Sequence, residues 1–393
     1  MFITIDWLHV ISLLGAVQGL FLAGVLVTKR TNRTANRLLA AVTVAFSVYL
    51  TSAVYRAVGW MPVFPHFLGV SNPLPLVFGP LIYLYAVHAS DRTRRLGKRD
   101  LLHFVPATAV VIATLPMYLQ SGPEKIAFYQ QLQGGDIPRL LQVIDWLKFV
   151  SGVSYTVATI RHLLRHRLTV MNSYSTVERV NLRWLLWLTS ASAVVWALAT
   201  ALHVFLVLNL PPRHGENLVA LGIAIMVYGI GYRGLRQPEV FNFVTSEFPV
   251  AAAAPAPPAP PVPPADQSPR YQHSGLGDQE AESLKDALLL AMEKERPYRD
   301  SDLTLADLAE RLNTTPHKLS EVLSQRVGLT FYDFVNRYRV EEVQRRVADT
   351  RSQNLTLLAL ALDAGFASKS TFNNVFKRHT GKTPSDYRRA LAS

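Results

Sequence analysis

The sequence predicts an all-α protein: an N-terminal bundle of seven transmembrane helices, a Pro/Ala-rich linker, and a C-terminal domain with two helix-turn-helix units joined by a long helix. Three observations predict this fold class. Long uncharged apolar runs recur through the first 235 residues, nine prolines fall between positions 249 and 269, and short amphipathic segments with turn signals follow. The predicted domain boundaries are 1–236 for the membrane domain, 237–277 for the linker and 278–393 for the C-terminal domain.

Composition excludes several kinds of chemistry. The chain has 393 residues and no cysteine, which excludes disulfides, Cys-ligated metal centres and Cys nucleophiles. Its net charge is +12, but the C-terminal domain carries little of this charge. Residues 1–250 contain 21 Lys and Arg against 10 Asp and Glu, whereas residues 278–393 contain 18 against 17. The basic excess therefore belongs mostly to the membrane domain.

Apolar runs define the predicted spans, because a helix needs about 20 apolar residues to cross the hydrocarbon core. The spans are predicted at residues 7–28, 38–55, 72–90, 101–120, 140–160, 184–210 and 217–232. Buried helices of a soluble protein are the alternative. They would not explain the flanking charge, which alternates regularly between connections.

The connections carry 16 Lys and Arg on one side of the predicted membrane and four on the other. Because basic residues concentrate in cytoplasmic loops, the N-terminus is predicted outside and the C-terminal domain in the cytoplasm. The short seventh span is needed for this arrangement.

Three polar residues inside spans are candidates for ligand binding, since such residues are costly in a membrane. Asp145 and Lys148 lie three residues apart on one helix face, and His203 is predicted at a similar depth. One interpretation is a structural ion pair and a packing histidine. The other is an outward-facing pocket that binds an unknown small molecule.

The linker is defined by composition. Residues 249–269 mix nine prolines with alanine, which favours an extended polyproline II spacer of about 3.1 Å per residue. A docking site for a proline-binding partner is the alternative. A spacer suits a cytoplasmic domain held clear of the bilayer.

The first helix-turn-helix is predicted after an amphipathic helix at 278–295. Thr304 is an N-cap with Asp307 three residues later, and Pro316 follows Thr315 at a second helix start. Gly328 ends that helix, and a long helix is predicted at 331–347.

The second helix-turn-helix occupies residues 355–389. An apolar segment leads to a break at Gly365, and a polar opening at 368–371 starts a helix with Phe372 and Phe376 on its buried side. Gly381 ends the helix and Pro384 follows, the usual order of stop signals.

Residues 280–390 resemble the DNA-binding domain of the AraC/XylS family of bacterial transcription activators. The matching residues are Leu305-Ala306-Asp307-Leu308-Ala309, Tyr338-Arg339, Ala364-Gly365-Phe366, Phe372, Phe376-Lys377, Gly381, Pro384 and Tyr387-Arg388. The resemblance implies double-stranded promoter DNA and RNA polymerase as partners, with two recognition helices entering successive major-groove segments. It implies no cofactor and no enzymatic activity.

Carried over by position, the resemblance implies two sets of DNA-contacting residues. The base-contacting residues are His317, Ser320 and Glu321 on the first recognition helix, and Lys369, Ser370, Thr371 and Asn374 on the second. The phosphate-contacting residues are Lys377, Arg378, Arg388 and Arg389. Lys and Asn suit guanine and adenine edges, whereas Glu321 departs from the basic residue common at its position.

The sequence therefore predicts a one-component transcriptional regulator in the bacterial inner membrane, with signal input from the membrane domain. A homodimer formed through the membrane helices or the 278–295 helix is compatible with it. Two alternatives remain open. One is a latent transcription factor released by proteolysis of the linker, and the other is a transporter or enzyme with a regulatory DNA-binding tail, although no metal, phosphate-loop or nucleophile motif is present.

Overall fold

The computed structural model describes residues 6–30, 32–91, 94–134, 136–176, 183–208, 215–236, 276–349 and 354–392. All regular elements in these ranges are helices, which confirms the all-α class. The predicted linker, 237–277, lies outside the described residues except for its last two positions. The chain divides into two compact units, residues 1–166 with 182–243, and residues 167–181 with 244–393.

The first unit is built from eight described helices, the sixth of which continues into the second unit. They are α1 (Trp7–Thr28), α2 (Arg33–Ala57), α3 (Pro75–Ser90), α4 (Lys98–Tyr118), α5 (Gly122–Gln133), α6 (Arg139–Ser173), α7 (Arg183–Val207) and α8 (Gly215–Arg236). Helix α5 joins α4 to α6 and was not predicted. The other seven overlap the predicted spans.

Helix length and composition confirm only part of the predicted count of spans. Four of the described helical stretches are long and apolar enough to cross a membrane, namely Trp7–Thr28, Arg33–Ala57, Lys98–Tyr118 and Trp184–Phe205. Pro75–Ser90 and Asn217–Arg233 are apolar but shorter. Helix α6 continues 13 residues past the predicted span end at 160, because Arg and His residues end the apolar stretch without breaking a helix.

Helices α1, α2 and α8 pack through small residues. A Cβ added to Gly19 would lie 2.3 Å from Ser47 Oγ, so the backbone of α1 lies against α2 at this point. Opposite this seam, α1 exposes Val17 and Phe21, which are 66% and 69% exposed. Close approach through small residues is typical of helices in membranes, and an uncharged exposed apolar face suits lipid.

The second unit contains seven α-helices among its described residues, besides a 3-10 turn at Pro297–Arg299 and a π-helical turn at Leu323–Val327. They are α9 (Asp278–Lys294), α10 (Leu305–Arg311), α11 (Pro316–Val322), α12 (Phe331–Ala348), α13 (Leu357–Asp363), α14 (Lys369–Thr380) and α15 (Pro384–Ala392). Helices α10 and α11 form the first helix-turn-helix, and α13 and α14 form the second. Helix α12 joins them, as the sequence predicts.

Hydroxyl caps fix where these helices begin. At five starts a Ser or Thr side chain accepts a hydrogen bond from the backbone N–H three residues later; the caps are Thr304, Thr315, Thr330, Thr356 and Ser368. Each cap satisfies a backbone donor that the helix leaves unpaired and typically contributes about 1 kcal/mol. The predicted stops at Gly328 and Gly381 are also present, with φ of +72° and +74°.

Helix α12 contributes side chains to two hydrophobic cores. Phe331, Phe334 and Val335 pack with α9, α10 and α11 in the first core. Tyr332, Val340 and Val343 pack with α13 and α14 in the second core. One helix therefore supports both helix-turn-helix units.

Candidate nucleic-acid interface

The second recognition helix, α14, is anchored by a row of aromatic residues. Ring centroids of Phe366 and Phe372 lie 5.3 Å apart, those of Phe372 and Phe376 5.5 Å, and those of Phe376 and Tyr387 5.3 Å. Phe366, Phe372 and Phe376 are each 1% exposed, which confirms the predicted core role of Phe372 and Phe376. This packing fixes which face of α14 reaches solvent.

The exposed face of α14 carries four of the residues predicted to contact DNA. Lys369, Ser370, Asn374 and Lys377 are all exposed. Positions 370, 374 and 377 recur every three to four residues and so line one face of the helix. This face offers a cation, a hydroxyl and a carboxamide, the groups that read base edges and hold phosphates.

Thr371 occupies a different position from its neighbours. It is only 6% exposed, and its hydroxyl lies 2.8 Å from Ser368 Oγ, the cap of α14. Its own backbone N–H donates to the same Ser368 oxygen over 3.2 Å. Thr371 therefore belongs to the start of α14. Its geometry favours a capping role over the base contact that the resemblance to the family implies for this position.

The predicted phosphate contacts differ from one another in their surroundings. Lys377 is exposed. Arg378 forms an ion pair with Asp333 and lies over the Tyr332 ring, with its guanidinium carbon 5.7 Å from the centroid. Arg388 donates from Nη2 to the Leu355 carbonyl over 3.0 Å. Both arginines would have to share or exchange these partners to bind a phosphate.

The first recognition helix, α11, presents a less basic face. His317 is exposed and Ser320 and Glu321 are half-buried, while Leu319 and Val322 are in the core. Glu321 Oε1 accepts a hydrogen bond from Gln325 Nε2 over 3.2 Å. Counted from the caps Thr315 and Ser368, Glu321 of α11 corresponds to Asn374 of α14. A carboxylate therefore stands where the second helix-turn-helix has a neutral carboxamide, and the two recognition helices are not equivalent.

Acidic residues of α9 pair with the two cations near α11. Lys318 Nζ lies 2.6 Å from Glu280 Oε1. Arg326 pairs with Asp278, and its Nη1 lies 3.9 Å from Glu282 Oε1. The sequence leaves open whether Lys318 and Arg326 face solvent or DNA, and in the structure both are engaged by α9.

Glu342 of α12 is a buried carboxylate, 3% exposed, between arginines. It pairs with Arg299 and Arg345, with Arg345 Nη2 2.7 Å from its Oε2. Burial opposes the charged form, but the hydrogen bond and charge of Arg299, with the charge of Arg345, hold the pKa of Glu342 below its usual value. The carboxylate thus ties α12 to the turn at 297–299.

The three candidate ligand residues of the first unit form two separate sets of contacts. Lys148 Nζ donates to Asp145 Oδ1 over 2.8 Å and also to Asn72. His203 lies against the rings of Trp146 and Phe149, at centroid distances of 5.5 and 5.1 Å. The predicted ion pair is present, and these contacts are those expected of a structural pair and a packing histidine.

Comparison with known proteins supports the helix-turn-helix interpretation. Residues 308–390 match the family described as "Helix-turn-helix domain". This match and the geometry above identify the C-terminal region as a helix-turn-helix domain of the AraC type. Among the described residues, no group of three or more His, Cys, Asp or Glu side chains is arranged to hold a metal ion.

The similar proteins match part of this chain. An uncharacterized HTH-type transcriptional regulator of Staphylococcus aureus is 32% identical over 87 residues, which are 22% of this chain and 11% of that protein. An HTH-type transcriptional regulator of Mycobacterium tuberculosis is 32% identical over 88 residues, 22% of this chain and 33% of that protein. A solved structure of a protein of unknown function from Listeria innocua covers 27% of this chain and 95% of its own, at 25% identity and a TM-score of 0.24.

Proposed function

We propose that this chain is a membrane-bound transcriptional regulator that binds promoter DNA through its two helix-turn-helix units. The exposed face of α14 carries the proposal: Lys369, Ser370, Asn374 and Lys377 lie together on a helix whose opposite side is buried. The names of the similar regulators agree with it. Asn374 and Lys369 read bases in this proposal, and Lys377 holds a phosphate.

The two recognition helices contribute unequally to this binding. Glu321 suits a cytosine amino group, for which a carboxylate is the usual acceptor, and His317 and Ser320 complete the face of α11. Because Lys318 and Arg326 are paired with α9, α11 supplies less attraction for phosphate than α14. In this proposal the DNA site has two segments, or boxes, and each recognition helix binds one of them. We expect the box bound by α14 to contribute most of the affinity.

Selection from a random DNA pool tests the proposal, because it requires no promoter sequence as a starting point. The full-length chain in lipid nanodiscs should enrich a site with two boxes about one helical turn apart. Asn374→Ala should relax the base preference at one position. Lys294→Ala, an exposed cation on α9, is the matched control and should leave the site unchanged. Failure of the full-length chain to enrich any sequence would refute the DNA-binding function.

The membrane part of the proposal places a seven-helix domain in the bacterial inner membrane, with the N-terminus outside and the helix-turn-helix domain in the cytoplasm. It is supported by four helices that satisfy the length and composition of a span, and by the apolar exposed face of α1. The basic bias of alternate connections supports the orientation. In this arrangement the membrane domain receives a signal, from a small molecule or from the membrane itself.

Cysteine labelling tests the orientation directly, because the chain has no cysteine of its own. Single variants Leu96→Cys, Gln131→Cys and Lys382→Cys replace exposed residues. In intact spheroplasts, a membrane-impermeant maleimide should label position 131 alone, and lysis should expose positions 96 and 382. Labelling of position 382 before lysis would show that the orientation is opposite to the proposed one. Immunoblotting for a shortened soluble fragment separates signalling in place from release by proteolysis.

A further inference from the structure

A short segment before α7 is part of the second unit, although its hydrogen-bond partners there are more than 100 residues away in sequence. We name residues 171–176, the end of α6 and the three residues after it, the strap. The strap belongs to the second unit with the C-terminal residues, whereas α6 up to His166 belongs to the first unit. It lies in the connection between the fifth and sixth predicted spans, on the side predicted to be cytoplasmic.

The strap pairs with the edge of the first helix-turn-helix unit. Tyr174 and Thr304 form an antiparallel bridge, and the Ser175 N–H donates to the Leu303 carbonyl over 3.2 Å. The hydroxyl of Ser175 donates to the same carbonyl over 2.6 Å, and that of Thr176 donates to the Ser301 carbonyl over 2.6 Å.

Ser175 also contributes to the surroundings of a buried charge. Arg339 of α12 is 1% exposed. Its Nε donates to the Tyr298 carbonyl and its Nη2 to the Asp300 carbonyl, both over 2.7 Å. It also donates to Ser175, from Nη1 to the carbonyl over 3.2 Å and from Nη2 to the hydroxyl over 3.1 Å. A buried guanidinium needs such acceptors because burying a charge without partners is strongly unfavourable.

The strap contacts both halves of the domain. Met171 packs at the margin of the second core, which contains α13 and α14. Asn336 of α12, fully buried, donates from Nδ2 to the Ser175 carbonyl over 3.3 Å and to the Tyr332 carbonyl over 2.8 Å. The strap is held at once by the first helix-turn-helix, by α12 and by the second core. It therefore constrains the arrangement of the two helix-turn-helix units.

We infer that the strap is the element through which the membrane domain controls the DNA-binding domain, in cis. Docked, it holds the two helix-turn-helix units in the relative arrangement that a two-box DNA site requires. Withdrawal of the strap by a movement of α6 removes two hydrogen-bond acceptors from Arg339. The two helix-turn-helix units are then free to change their relative arrangement. This inference rests on the proposed function, and it gives that function a specific route of signal transmission.

Disulfide trapping tests docking in the full-length chain. Residues paired across an antiparallel bridge have Cα atoms about 4.5–5.5 Å apart, within the range of a disulfide. We expect Tyr174→Cys/Thr304→Cys to cross-link under mild oxidation in native membranes. A protease site in the linker then leaves two fragments joined only by the disulfide. The pair Tyr174→Cys/Lys382→Cys is the matched control for random collisions.

Two results would overturn docking in cis. One is a cross-linking yield no greater than that of the control pair. The other is a disulfide between differently tagged chains that carry one cysteine each, because the strap would then come from a second copy. Each single-cysteine variant must also retain the DNA site selected by the cysteine-free chain.

DNA binding tests the control function separately. Ser175→Ala removes the hydroxyl contacts with Leu303 and Arg339, and Thr176→Val removes the one with Ser301 while keeping the shape. We expect Ser175→Ala to weaken binding to the two-box site roughly tenfold, as for a lost hydrogen bond to a charged group, and to leave binding to a single box unchanged. Thr176→Val should have a smaller effect in the same direction. Equal loss on both DNA sites, or no loss, would overturn the inference.

The two hypotheses fail in different ways. A disulfide that forms in a chain that selects no DNA sequence would refute the proposed function while docking stands. Selection of a two-box site by a chain whose strap does not cross-link would refute the inference alone.

Discussion

Replacement of Gly365 by alanine tests whether the turn of the second helix-turn-helix is held rigidly against the backbone of residues 297–299. Gly365 has a φ of +95°, and an added Cβ would lie 2.3 Å from the Tyr298 carbonyl oxygen and 2.8 Å from that of Arg299. Both atoms belong to backbone that is held in place by Arg339 and Glu342. Relief of the contact therefore requires movement of the turn at 297–299.

The expected magnitude has two parts. A left-handed backbone costs an alanine about 1–2 kcal/mol, and forcing an extra methyl group into a packed site costs about 1–3 kcal/mol more. Gly328→Ala and Gly381→Ala are matched controls, because their φ values are +72° and +74° and their added Cβ would meet nothing within 4 Å. The controls should therefore show the backbone part alone.

Pulse proteolysis in urea measures this difference in the full-length chain in detergent, since it reports the fraction of C-terminal domain that is unfolded. We expect Gly365→Ala to destabilise the domain by about 2–5 kcal/mol, the sum of the two parts, and the controls by about 1–2 kcal/mol. A loss for Gly365→Ala no greater than that of the controls would refute a close, rigid contact between the second turn and residues 297–299.

Four further substitutions follow from the interface and from the buried carboxylate. Asn374→Ala should relax base preference at one position, whereas Lys377→Ala should weaken all sequences alike and lower the salt slope of binding by about one unit; the same uniform loss for both would contradict the assigned roles. Glu280→Gln should release Lys318 and steepen the salt dependence of DNA binding, and an unchanged slope would show that this cation does not reach DNA. Because the folded-state pKa of Glu342 is lowered, its contribution to stability is present above its unfolded pKa and is lost as pH falls through the folded pKa. Glu342→Gln should therefore destabilise the domain at neutral pH and flatten the acid side of its pH–stability profile, which urea titrations across pH 3–8 would reveal.

Local signals made the helix boundaries of the C-terminal domain predictable. The caps at Thr304 and Thr315 and the stops at Gly328 and Gly381 each act on backbone groups within a few residues, so their chemistry is legible in the sequence. The burial of Phe372 and Phe376 follows from their spacing. Residue type alone did not separate Thr371 from Ser370, because either hydroxyl suits a cap or a base edge.

Contacts between distant residues could not be predicted in this way. Tyr174, Ser175 and Thr176 have no periodicity or motif that points to residues 301–304, and a buried Arg339 looks in the sequence like any helical arginine. The same limit applies to Arg378 and Arg388, which were expected at phosphates and are bonded within the domain. In the first unit, charged residues marked the end of the apolar stretch at 160 but not the end of α6.

The position of the strap in the sequence also determines the order in which the contacts of the C-terminal domain can form. Ser175 leaves the ribosome 128 residues before Leu303, its hydrogen-bond partner. At roughly 5–20 residues per second, that interval is on the order of ten seconds. Arg339 is made later still, so the helices on either side of the strap are complete before the residues that bind the strap exist. A contact of such high sequence separation forms late, and the C-terminal domain of a newly made chain therefore passes through a period in which it is folded locally but not yet connected to the strap.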